Sequence, residues 1–110
     1  MLAQPLCGER RVAYCYVRPG CHADFERYVA AKLGKHATLH RSSDLIAQNW
    51  FGPGAPHPRL AERVGDYTLV MKDSYALKDW LPNEKRHVHI GVHGGTSDDE
   101  MYVPLIMLAA

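Results

Sequence analysis

The sequence predicts an α/β fold, a sheet with helices packed on it, and three stretches carry that expectation. Residues 10–18, "RRVAYCYVR", place Val12, Tyr14 and Tyr16 on one face of an extended chain and Ala13, Cys15 and Val17 on the other. A run apolar on both faces is typical of a strand covered from both sides. Residues 21–35, "CHADFERYVAAKLGK", repeat apolar side chains at helical spacing (Phe25, Tyr28, Val29, Leu33) and reach Gly34, a helix stop signal. Residues 67–72, "YTLVMK", are rich in β-branched and aromatic side chains and read as a second strand.

Between and beyond these, "HATLH" (36–40) reads as a short strand, and "SSDLIAQN" (42–49) as a short helix opened by an N-cap serine. Residues 50–66, "WFGPGAPHPRLAERVGD", hold glycines and prolines close together. Proline removes a backbone donor and fixes φ, so this segment is expected to be an irregular loop, and a loop of that length in a small domain suggests function. "SYALKDWL" reads as a short helix or turn. "HVHIGVH" (87–93) alternates like a strand and places His87, His89, Gly91 and His93 on one face. "SDDEMY" is expected to form one helical turn capped by Ser97, and "VPLIML" a final strand with proline near its start.

Composition narrows the function. With 110 residues, 46% of them hydrophobic and 23% charged, the chain builds one modest core. Thirteen Lys and Arg against twelve Asp and Glu leave no broad basic face for a phosphate backbone, so nucleic-acid binding is not expected. Cys7, Cys15 and Cys21 lack CxxC spacing and are odd in number, which points to reduced thiols and a cytoplasmic setting. No apolar run approaches the ~20 residues of a membrane span, and no leader opens the chain.

The histidines are the first candidates for chemistry. Two imidazoles on one strand face, His87 and His89, can reach one zinc, but a catalytic site needs about three protein donors. His93 lies four residues past His89, about 13 Å along an extended strand, so it does not complete a local site. Its own position is more telling. His93 ends the alternating run and is followed by Gly94 and Gly95, which let the backbone turn tightly and approach a ligand.

"GVHGGTSDDEMYVPLI" (91–106) resembles the carboxyl-terminal signature of the alkaline phosphatase superfamily, in its nucleotide pyrophosphatase and phosphodiesterase branch. In that signature a His-Gly step is followed by a short acidic helix, a methionine and an apolar strand opened by Val-Pro. "WFGPGAPHPRLAERVGDYTLV" is similar to the same branch, with its FG-rich loop, His-Pro step and Arg-x-Gly-Asp before a strand. The resemblance covers residues 9 to 110 and implies a partial three-layer sandwich, with a mixed, mostly parallel sheet and flanking helices, as the C-terminal part of a larger fold.

It also implies chemistry. Two metal ions, usually zinc, sit at strand ends of the complete enzyme and activate a Thr or Ser nucleophile against a small phosphate-ester substrate. Paired ions can stabilise both the attacking and the leaving oxygen. His93 matches one metal ligand, Gly94 and Gly95 keep the backbone close to the ion, and Asp98, Asp99 and Glu100 cap the following turn. His57, Arg63 and Asp66 are the candidates for facing substrate or orienting the 50–66 loop. The family's other ligands are missing: no Asp has His four residues later, no Asp-His pair occurs, and Thr38, Thr68 and Thr96 lack a nucleophile's setting. The expectation is a catalytically incomplete carboxyl-terminal segment of a larger metal-dependent hydrolase.

Three other readings stand beside it. The chain could be a self-contained zinc domain built on His87, His89 and His57. It could be a non-catalytic module that pairs an exposed strand edge with a second copy. A cysteine hydrolase using Cys15 or Cys21 with His22 is the poorest, because nothing supplies an orienting third group.

Overall fold

The computed structural model describes residues 1–85 and 88–108. The elements run β1 (Cys7–Gly8), β2 (Val12–Cys15), α1 (His22–Lys32), β3 (Ala37–Arg41), α2 (Ser42–Ala47), α3 (Leu60–Val64), β4 (Tyr67–Met71) and α4 (Asp98–Met101). Among the described residues four strands form one sheet in the order β1-β2-β4-β3, and every neighbouring pair is antiparallel.

The mostly parallel three-layer sandwich expected from the sequence is therefore wrong. In sequence, β2, α1 and β3 look like a parallel strand–helix–strand unit. In space β4 lies between β2 and β3 and runs against both, with Ala13 opposite Leu69 and Leu39 opposite the same residue on the other side. This is a split β-α-β arrangement. Alternation along a strand reports which faces are covered and carries no information about the direction of the neighbour.

Both faces of β4 are covered, which explains its apolar character, whereas β2 buries Ala13 and Cys15 on one face and leaves Val12 and Tyr14 half-buried on the other. Phe25 and Val29 of α1 pack on Ala13, Cys15, Tyr67, Leu69 and Met71. On the opposite face α2 buries Leu45 and ties itself to the sheet through Ser42, whose Oγ donates to the Val64 carbonyl and shares a 2.9 Å hydrogen bond with Thr68 Oγ1. Ser42 is thus the first helical residue with a buried side chain, and Arg41 takes the N-cap position expected of it.

Other expectations change where tertiary contacts decide. The 50–66 segment is not wholly irregular, since residues 60–64 form α3, which buries Val64. His87 lies outside the described residues. Residues 88–93 and 103–108 do not form the two strands expected of them. Neither segment belongs to a strand, and Val88 is 78%, Leu105 82% and Leu108 92% exposed. The radius of gyration, 16.2 Å, exceeds the roughly 13 Å of a packed chain this long.

Candidate functional site

The His93 loop is built from both ends of the chain. Ser97 caps α4, and Glu100 at the third helical position reaches back, as the capping-box pattern requires. Its Oε2 accepts from Ser97 Oγ at 2.6 Å, and its Oε1 accepts from the Gly95 N–H at 3.0 Å. Across the sheet edge, Arg11 completes the arrangement. Its Nε donates to Glu100 Oε1 at 2.9 Å and its Nη2 to Oε2 at 2.8 Å, while Nη1 donates to the carbonyls of Lys72 and Tyr75.

Burial sharpens this pair. Arg11 is 3% exposed, whereas the other arginines among the described residues are half-buried or exposed. The fork-to-fork geometry satisfies both charges, as a buried ion pair requires. The Arg11 and Ser97 hydrogen bonds hold the Glu100 carboxyl far below the usual carboxylate range, and the Glu100 bond raises the Arg11 guanidinium above its own.

The double glycine has a local explanation in the same pair. A Cβ on Gly95 would stand 2.3 Å from Glu100 Oε2 and 2.8 Å from Arg11 Nε. Gly94 has φ +90, a conformation that L side chains rarely adopt. The sequence "HGG" therefore threads the backbone past the ion pair, and His93 is left exposed on the solvent side of the turn.

The remaining candidates do not converge on His93. His57 is exposed in the proline-rich loop, where its Nδ1 accepts from the Arg59 N–H at 3.1 Å. Arg63 is exposed, and its carbonyl accepts the Tyr16 hydroxyl at 2.7 Å. Asp66 is a structural residue: its Oδ2 accepts from the Val17 N–H at 2.7 Å, its own N–H donates to the Cys15 carbonyl, and its carbonyl accepts from the Ser42 N–H. Gly65 before it has φ +63, and a Cβ there would meet the Cys15 carbonyl oxygen at 2.7 Å. The "RVGD" step is thus the joint that lays β4 beside β2.

The cysteine alternative fails on burial. Cys15 is fully buried on the α1 face, and that burial pushes its thiol up to about 12, the reverse of an activated nucleophile. His22 rests beside the Tyr67 ring at 5.8 Å. Among the described residues no group of three or more His, Cys, Asp or Glu is placed to hold a metal ion. Nothing in the local sequence marks Arg11 as a residue of this site. Glu100 was read only as a cap, although its spacing from Ser97 signals the capping box.

Comparison with protein-family models, with curated proteins and with solved structures finds no match. Among the described residues no helix is long and apolar enough to cross a membrane.

Proposed function

We propose that this chain is the carboxyl-terminal portion of a metal-dependent phosphodiesterase or nucleotide pyrophosphatase-like hydrolase, acting on a phosphate-ester small molecule, and that His93 is one ligand of its two-metal centre. The observation that carries the reading is a single exposed imidazole at the head of a turn locked by a buried ion pair. A metal ligand works best when its backbone is held by a second layer of bonds, and Arg11, Glu100 and Ser97 supply such a layer behind His93.

The exposed apolar ribbon supports the same reading. Val103, Leu105, Ile106, Met107 and Leu108 are all exposed, with no alternation between polar and apolar. A segment apolar on both faces suits burial against another surface, and the sheet leaves it uncovered. Zinc, or another divalent ion, would be completed by donors from outside residues 1–110.

The test is zinc calorimetry on this chain and on His93→Ala and His87→Ala/His89→Ala, with phosphodiester hydrolysis assayed in parallel. The expected outcome is no tight stoichiometric zinc and no turnover from this chain. In the larger hydrolase, His93→Ala is expected to lower both bound metal and turnover by roughly 100-fold or more, beyond the effect of losing a supporting residue. Sub-micromolar zinc lost with His87 and His89 would instead establish a self-contained zinc domain.

A further inference from the structure

A second feature lies on the sheet face opposite α1, next to the His93 turn, with which it shares Gly94. A cleft of about 370 Å³ opens between Tyr14 of β2, Trp50 and Phe51 after α2, Glu9 of the β1–β2 turn, and Gly94 and Thr96. Small-molecule sites begin at about 300 Å³. The tryptophan and phenylalanine face it although they are 47% and 37% exposed.

Local structure explains why two aromatic rings stand there in the open. Helix α2 ends in a Schellman motif: Asn49 takes φ +58, its N–H donates to the Ile46 carbonyl, and the Trp50 N–H donates to the Leu45 carbonyl. The chain therefore reverses at Asn49 and lays Trp50 and Phe51 back over the sheet. Phe51 meets Tyr14 with ring centroids 6.3 Å apart and planes tilted 55°, and Trp50 meets His40 at 5.6 Å and 45°. Neither pair is stacked face to face, so flat aromatic surface remains for a third ring.

Among the described residues that line the cleft, Glu9 alone is charged. A carboxylate only accepts hydrogen bonds, so it favours a donor such as an amino group and repels an anionic group inside the cleft. We propose that this cleft binds a flat heteroaromatic ring carrying an exocyclic amino group, stacked on Trp50 and Phe51 with the amino group toward Glu9. Nothing in this site depends on a metal at His93.

The chain has two tryptophans, so Trp80→Phe leaves Trp50 as the sole indole reporter. Its fluorescence is titrated with adenosine and with inosine, which carries an oxo group where adenosine carries the amino group. Saturable quenching by adenosine at about 1 mM or tighter is expected, with inosine weaker. Phe51→Ala, a change at an exposed ring, weakens adenosine about 10-fold, because stacking on one aromatic side chain contributes that much. Glu9→Gln brings the adenosine and inosine affinities together, and His93→Ala leaves both unchanged. Absence of saturable quenching, equal binding by Phe51→Ala, or equal affinity for the two nucleosides in the Glu9 protein would each overturn the proposal. Loss of binding with His93→Ala would overturn the independence of the two sites.

Discussion

Arg11 and Glu100, 89 residues apart in sequence, face each other as a two-bonded ion pair with side chains 4% and 18% exposed. The pair joins the start of β2 to the last helix and fixes the turn that carries His93. Removing one partner strands the other charge. Glu100→Gln is expected to destabilise the chain by about 3 kcal/mol. In urea denaturation, Arg11→Met/Glu100→Gln should cost less than the sum of its single changes, because the two residues act on one interaction.

The same pair sets a pH dependence. The folded-state value of the Glu100 carboxyl lies below its unfolded value of about 4.3, so its stabilisation is complete at neutral pH. It is lost as pH falls from there toward the depressed folded value. The difference in melting temperature between the natural chain and Glu100→Gln should therefore shrink between pH 5 and pH 2, about the range over which the unfolded carboxyl takes up its proton. A constant difference would mean that Glu100 acts through shape alone.

Gly95 tests the reading of the double glycine. Gly95→Ala puts a methyl group onto the ion pair and should cost about 1–3 kcal/mol. Gly91→Ala meets nothing within 4 Å and should stay within about 0.5 kcal/mol of the natural chain. Thermal unfolding of the two variants side by side decides it.

Asp66, a candidate for substrate contact on sequence grounds, is expected to behave as a structural residue. Asp66→Ala leaves the Val17 N–H without its acceptor and should destabilise by about 1–3 kcal/mol. Amide exchange at Val17 should accelerate in that variant.

The thiols give a direct check of burial. Cys7 is exposed and Cys15 is fully buried with its thiol pushed up to about 12. Brief iodoacetamide treatment at pH 8 should label Cys7 in the native chain and reach Cys15 only after denaturant is added.

The sequence by itself determined the local pieces. Helical spacing at Phe25 and Val29, the β-branched run of β4 and the Ser97 cap of α4 each depend on neighbours within a few positions, so periodicity and capping chemistry sufficed. Sheet direction was decided only in three dimensions, because Val12–Cys15 has the same two-sided apolar pattern whether its neighbour runs parallel or antiparallel. The candidate site divided in the same way. "HGG" marked a tight turn from sequence, but the reason for Gly95 is Arg11, a residue with no local mark that separates it from Arg10. Long-range partners such as Arg11 and Glu100, or Asp66 and Val17, are chosen by how the strands come together, and no spacing within either segment records that choice.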